Sequence, residues 1–417
     1  MATNRRKSSL EASALQRMDR LKLTPAKNED DVFNIIFIGA GNIMFGSDEG
    51  PWNHSFRLEH KLQTRLRVVA LVDPNLERAN GVLTNKRATF VELAYRDTVA
   101  VPTIEAFVEQ KDPNQTINAI IVGSPPQFRG SDLPGADIEL KLIKLFPGVA
   151  MFIEKPVATG PVERALTVAK AIKDSSSVCS VGYMLRYLKA VQQMKAIIED
   201  NDLQVMATTA RYVAAYDRIR QTHWWDKSKS CGPIVEQGTH FCDLSRYFGG
   251  EVDIPSVSAH SLEFYEEAGK LGKMAFDEDA VIPADQRIPR VTSATWKYES
   301  GAVGTLTHVV ALHGGQYACE LEVYADGFLL KLIDPYNAPE LRVRRPGEEI
   351  EMVYKFPDDD PFFSEASNFI DVVEQKNYAS EEINILSNYE DACKTYEFTW
   401  AIREASEKSR KIPPGVM

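Results

Sequence analysis

From Asn34 to Ile38 the chain reads "NIIFI", an apolar run with no polar face. Runs of this length, rich in Ile and Val, belong to strands buried on both sides. Comparable runs recur at "RVVALVDP" (67–74), "NAIIVGSPP" (118–126), "VAMFIEKP" (149–156) and "VCSVGYM" (178–184). Segments of helical spacing lie between and after them, at "FRLEHKLQTR" (56–65), "ADIELKLIKLF" (136–146), "PVERALTVAKAIKD" (161–174) and near 188–200. Strands alternating with helices predict a parallel, doubly wound sheet. Beyond residue 290 the rhythm changes. "VTSATWKYESGAVGTLTHVVAL" (291–312) reads as two antiparallel strands around Ser300-Gly301, and "ACELEVYADGFLLKLID" (318–334) as a hairpin turning at Asp326-Gly327. "LRVRR" and "EEIEMVYKF" make a third pair, and the last 50 residues are helical in pattern, most clearly over 389–410.

The expected fold class is therefore α/β: an N-terminal doubly wound, Rossmann-like domain over 31–157, then a C-terminal α/β domain with a large, mostly antiparallel sheet over 158–417. Residues 1–30 are polar and poorly periodic and read as a loosely attached or disordered tail, in which "RRKS" (Arg5–Ser8) is a solvated basic stretch.

Composition narrows the partners. The 417 residues carry a net charge of −11, with no long Lys/Arg stripe, which disfavours nucleic acid and anionic membrane surfaces. No apolar run approaches the ~20 residues that span a bilayer, and the N-terminal residues lack the apolar core of a secretory signal. The cysteines (Cys179, Cys231, Cys242, Cys319, Cys393) are scattered and without C-x-x-C spacing, so a disulfide frame and a zinc site are not expected. The expected location is the cytoplasm.

Four constellations carry chemistry. "GAGNIMFG" (39–46) follows the first strand, and its Gly39 and Gly41 suit the close approach of a backbone to a pyrophosphate. The third glycine of the G-x-G-x-x-G pattern is replaced by Met44. An insertion, "GSDEGPWN" (46–53), displaces the next helix, with Asn53 as its N-cap and Met44 in a loop. Asp48 and Glu49 in that insertion should point away from phosphates. Asp73 ends the second strand, 34 residues after Gly39, where a carboxylate accepts from ribose hydroxyls and favours NAD over NADP; the plain alternative is an Asp-Pro turn. Glu154-Lys155-Pro156 ends another strand, and a lysine there can act as acid or base, unless the two charges form only a surface ion pair.

The fourth is "GPIVEQGTHFCDLSRYFGG" (232–250), read as one buried helix with Glu236, His240 and Asp243 at i, i+4 and i+7 on one face. Buried polar groups need partners, and a hydroxyl-rich substrate would supply them. A carboxylate–histidine metal site and a core histidine are the alternatives; the expectation is no metal. "YDRIRQTHWWDK" (216–227), just upstream, places Tyr216, Arg218, His223 and Trp225 as lining for a ring-shaped, anionic substrate, or else as packing between domains.

"NIIFIGAGNI", "VVALVDPN", "AIIVGSPP", "FIEKP", "VGYMLRY" and the 232–250 segment occur in the order and at about the spacing of the Gfo/Idh/MocA family, that of glucose–fructose oxidoreductase and inositol dehydrogenase. The resemblance spans about residues 31–412 and includes "ATWKYESGAVGTLT" and "NYEDACKTYEF". It implies an NAD(P)-dependent enzyme acting on hydroxyl carbons of sugars, polyols and related cyclic compounds. It also implies Lys155 as the catalytic lysine, with His240 and Glu236 binding or helping to deprotonate the reacting hydroxyl. Glu236 stands where the family usually has aspartate, and Arg129 where many members have histidine. Candidate cofactor contacts are Gly39, Gly41, Asn42, Ile43, Asp73, Ser124, Pro125, Glu154 and Lys155; candidate substrate contacts are Arg186, Tyr216, His223, Trp225 and Asp243. The cofactor is NAD, with NADP not excluded, and the resemblance implies a homodimer or homotetramer. A dinucleotide-binding sensor without catalysis, glycoside cleavage using NAD and imine reduction are the other activities open to this fold.

Overall fold

The computed structural model describes residues 32–47, 50–375 and 384–410. The expected tail at 1–30, and Asp48 and Glu49, lie outside the described residues. The chain divides into two compact units. The first takes the described residues up to Glu154, with Thr167–Gly182 and Phe362–Tyr389; the second takes Lys155–Leu166, Tyr183–Pro361 and the described residues from Glu390. The expected contiguous split at 157/158 does not include this interleaving. Its cause is β-pairing and packing, since both late segments are bound to the first sheet.

In the first unit, β1 (Phe33–Ile38), β2 (Leu66–Val72), β3 (Val99–Val101), β4 (Ala119–Val122), β5 (Ala150–Ile153) and β6 (Cys179–Val181) pair in the order β3-β2-β1-β4-β5-β6. All five pairings are parallel. This is the doubly wound order, whose direction reverses between β1 and β4. The strands are short and buried on both faces, as their unbroken apolar runs require. The helix Pro361–Gln375 adds Ala366, Phe369 and Ile370 to their core, and Ser387 exchanges hydrogen bonds with Val181 at the end of β6.

The displaced helix is present as His54–Leu62, with the Asn53 side chain accepting from the Phe56 N–H at 3.0 Å. Met44, however, is not in a loop. It lies on a single helical turn, Asn42–Phe45, and is fully buried. Space for it comes from Gly123, where a Cβ would stand 2.9 Å from Met44 Cε. The missing third glycine of the motif is thus compensated across the sheet.

In the second unit an eight-stranded sheet runs β14-β13-β12-β11-β7-β10-β9-β8. Its strands are β7 (Val205–Ala215), β8 (Ser258–Leu262), β9 (Val291–Lys297), β10 (Val303–Leu312), β11 (Ala318–Ala325), β12 (Phe328–Ile333), β13 (Glu340–Arg344) and β14 (Met352–Lys355). Every pairing is antiparallel except β7 with β10. The β11–β12 hairpin turns through Asp326-Gly327, with Gly327 at φ 73°. The long central strand β7 and the edge strand β8 were not foreseen. The inward positions of β7 are Thr208, Ala210, Tyr212 and Ala214, mostly small, while Met206 faces out, so hydrophobic alternation is weak. The helix Thr239–Gly249 packs on this sheet, with the Phe241 ring edge-on to Tyr212 at 5.6 Å.

Candidate functional site

In the first unit the loops after β1, β2 and β4 converge. Gly39 has φ 99°, and a Cβ there would sit 3.1 Å from the backbone of Gly123 and Ser124. Only glycine permits both the conformation and the approach. Gly41 precedes the helical turn that carries Asn42 and Ile43, and a Cβ on it would meet open space. Ser124 Oγ is buried with no hydrogen-bond partner among the described residues. Buried hydroxyls ordinarily find a partner, so Ser124 is a polar group beside a loop stripped of side chains. Pro125 follows it and leads into the short turn Pro126–Phe128.

Asp73 is buried, and its carboxylate is already engaged. Oδ2 accepts from the Ala40 N–H at 2.7 Å, Oδ1 from the Asn75 N–H at 2.8 Å, and Arg78 Nη2 donates to both oxygens at 2.9 Å. Asp73 therefore braces the glycine loop, and Arg78 offsets its charge. The expected preference for NAD assumed a bare carboxylate. Arg78→Ala should restore that charge and shift relative binding toward NADH over NADPH by about tenfold, or 1.4 kcal/mol. Fluorescence titration of both reduced cofactors measures it.

Glu154 and Arg129 close this end of the sheet. Arg129 is buried, and its guanidinium donates to the carbonyls of Ser124, at 3.0 Å, and Glu154. Its role is to tie the ends of β4 and β5 together.

In the second unit, Lys155, Glu236 and His240 come together. Lys155 Nζ donates to the Glu236 carbonyl at 2.9 Å and lies 3.5 Å from its Oε1. The other carboxylate oxygen accepts from Trp224 Nε1 at 3.0 Å. The segment predicted as one helix is a π-helical stretch, Ile234–Gly238, running into the α-helix Thr239–Gly249. Such widened turns concentrate at functional sites. Here the turn holds Glu236, so its relation to His240 is not the regular α-helical i, i+4 step.

His240 is buried between the rings of Tyr183 and Tyr336, at 6.1 and 6.3 Å. Burial, reinforced by the Lys155 charge, holds its pKa well below the ordinary range, so the ring is neutral. Its Nδ1 has no hydrogen-bond partner among the described residues. His308 stacks on Tyr212 at 5.0 Å, meets Gln237 Oε1 through Nε2 at 3.2 Å, and is pushed by burial down to about 3.

That depression has a stability consequence. The folded pKa lies below the unfolded one, so stability from neutral His308 is full above about 6.5 and is lost as pH falls toward about 3. Within that window the expected loss is on the order of 1 kcal/mol per pH unit. Urea unfolding across the window should show the slope, and His308→Gln should flatten it.

The remaining predicted contacts are placed differently. Arg186 and Asp243 pair with each other, at 2.8 Å (Nε to Oδ2) and 2.6 Å (Nη2 to Oδ1), and both are buried. Asp391 completes the cluster at 2.6 Å from Arg186 Nη2. Their charges are spent on one another, an arrangement that the expectation of substrate contacts did not foresee. Tyr216 and Trp225 are buried in a core with Ile282, Ile288 and Val310, and Trp225 Nε1 donates to the Ile219 carbonyl. They pack the unit, and Trp224 is the tryptophan that touches Glu236. His223 is exposed. Tyr183, Trp224, Gln237, His308 and Tyr336 were missed. Trp224 was within reach of sequence reasoning, being one residue from the tryptophan chosen; Tyr336 sits in a loop after β12 with no motif around it.

Among the described residues no group of three or more His, Cys, Asp or Glu is disposed to hold a metal ion, and no helix is long and apolar enough to cross a membrane. All five cysteines are buried. Burial pushes the Cys231 thiol up to about 11 and that of Cys319 up to about 12, so both are protonated at neutral pH.

The sheet order and glycine loop are those of a dinucleotide-binding fold, and the family matches make the chain an NAD(P)-binding oxidoreductase. Residues 33–183 match the model described as oxidoreductase family, NAD-binding Rossmann fold, and residues 186–328 match that of an oxidoreductase C terminal domain. The chain belongs to the Gfo/Idh/MocA oxidoreductase family. It is similar to the uncharacterized protein UNK4.17 of Schizosaccharomyces pombe, 46% identical over 375 residues, 89% of this chain and 91% of that one. In fold it is similar to the UDP-N-acetylglucosamine 3-dehydrogenase GnnA of Acidithiobacillus ferrooxidans (15% identity, TM-score 0.63, covering 90% of this chain and 98% of that one). It is likewise similar to a myo-inositol dehydrogenase of Corynebacterium glutamicum (16% identity, TM-score 0.62, covering 91% and 98%).

Proposed function

We propose that this chain is an NAD(P)-dependent dehydrogenase or reductase acting on a hydroxyl-bearing carbon of a sugar, polyol or related cyclic compound. The observation that carries the reading is the cluster of Lys155, Glu236 and neutral His240, in which His240 Nδ1 is buried without a partner. Lys155 is the acid/base. In the oxidative direction its free amine takes the proton of the reacting hydroxyl, and in the reductive direction its ammonium returns one. His240, kept neutral by burial, can accept a hydrogen bond from a substrate hydroxyl or donate one to a carbonyl, according to its tautomer. The Glu236 carboxylate, steadied by Trp224, orients a neighbouring hydroxyl.

The first unit's own residues fit the dinucleotide. Gly39 and Gly41 leave the backbone bare, the Ser124 hydroxyl is buried and unpartnered, and Asp73, bracing the loop, ends the second strand, the position from which such folds read a ribose. NAD or NADP, when bound, supplies the hydride acceptor or donor. Relatives in fold named for a nucleotide sugar and for inositol support a hydroxyl-rich ring as substrate. A homodimer or homotetramer and a cytoplasmic location belong to the same proposal, the latter supported by cysteines that are scattered and without C-x-x-C spacing.

The test is a panel of sugars, sugar acids, polyols and cyclitols with each oxidised cofactor, and of the corresponding ketones with each reduced one. Reduced-nicotinamide absorbance is the readout. Turnover of a hydroxyl or keto ring compound supports the reading. Binding of cofactor and ring compounds without turnover by any of them would make the protein a sensor.

A further inference from the structure

Glu154 is held on every side, and the residue after it is Lys155. Its N–H donates to the Val122 carbonyl on β4 at 3.0 Å. Its carbonyl accepts from Arg129, itself buried and anchored on Ser124. Its carboxylate oxygen Oε1 lies 2.5 Å from Nε2 of His54. A Cβ on Gly182, at the end of β6, would stand 3.1 Å from Cδ and both carboxylate oxygens. Four separate parts of the first unit thus converge on one residue. His54 is buried too, set edge-on to Phe152 at 5.1 Å and Phe362 at 6.2 Å, at the start of the helix that follows the insertion.

A Glu154–Lys155 surface ion pair, the plain reading of the sequence, would need none of this. Burying a carboxylate is costly unless it is paired, and an aliphatic residue would fill the same volume without that cost. We infer that His54 and Arg129 are positioning residues: together they fix Glu154 and, through the next peptide, the direction in which the Lys155 side chain leaves the backbone. The inference rests on Lys155 being the acid/base proposed above. It also gives the departure from the family histidine at Arg129 a role, because the guanidinium reaches two carbonyls at once.

The test uses the full-length protein carrying His54→Ala, His54→Gln or Arg129→Lys. The primary readout needs no substrate. It is the acetylation rate of Lys155 by an amine-reactive ester at fixed pH, measured by peptide mass spectrometry against the exposed Lys355 in the same digest. NADH titration and thermal melting check that each variant is folded. His54→Ala should change the Lys155 rate and leave Lys355 alone. His54→Gln, whose amide keeps an N–H donor near the place of Nε2, should return it toward wild type. On a substrate found by the panel, His54→Ala should lower kcat by about tenfold or more with KM little changed. A folded His54→Ala protein with wild-type Lys155 reactivity overturns the inference. Should His54→Ala not fold, Arg129→Lys decides by the same readout. Turnover retained by Lys155→Ala would sink the functional reading and leave the labelling result standing.

Discussion

Lys155→Ala is expected to lower turnover by about 10³-fold or more while leaving NADH affinity within about twofold of wild type. General acid–base groups typically contribute 10²- to 10⁴-fold, and the upper half of that range applies here for a structural reason. The groups around Lys155 offer no ready replacement. His240 is held neutral by burial and by the Lys155 charge itself, and the Glu236 carboxylate is bonded to Trp224. Removing the ammonium also removes one cause of the depressed His240 pKa, so that ring titrates more easily in the variant. The residual rate of Lys155→Ala should therefore have a different pH profile from the wild type. Steady-state rates across pH and fluorescence titration of NADH check both halves. Equal loss of turnover and of cofactor binding would make Lys155 a binding residue.

The cofactor half of the molecule was legible because its physics is local and repeated. Buried parallel strands are unbroken apolar runs, so β1, β2, β4 and β5 stand out, and the glycine loop, Asp73 and Glu154–Lys155 all fall at their carboxyl ends. Asn53 announces its helix by its own side-chain chemistry. What stayed hidden depends on partners distant in the chain. That Gly123 makes room for Met44, or that Arg78 covers Asp73, is a statement about packing, which spacing does not carry. Strand β7 was hidden by its small inward side chains, although it lies at the centre of its sheet. In the second unit, type and spacing singled out Glu236 and His240, but the π-helical turn that sets Glu236 leaves no mark in the sequence. Trp225 was chosen over Trp224 because adjacent tryptophans look alike until one is seen to face a core.

Asp243→Ala should destabilise the protein by about 3–5 kcal/mol, the range for removing one partner of a buried ion pair. The spacing argument grouped Asp243 with Glu236 and His240 as a substrate contact, and the structure supplies the reason to expect a stability effect instead. Both oxygens of Asp243 are used by Arg186, and Oδ1 also accepts from Thr395 at 3.1 Å. Burial opposes the charge on Arg186, and attraction to Asp243, then to Asp391, more than offsets it, holding the guanidinium above its ordinary range. Without Asp243 that guanidinium stays charged and buried, with Asp391 as its remaining close carboxylate. Desolvation then goes largely uncompensated. The double variant Arg186→Met with Asp243→Leu removes both charges and should recover much of the loss, because apolar side chains of similar volume commonly replace buried ion pairs at little net cost. Urea unfolding of the single and double variants gives the coupling directly. The two roles separate cleanly: a structural pair predicts low stability that the double variant restores, whereas a substrate ligand predicts near-normal stability and a raised KM that the double variant does not restore.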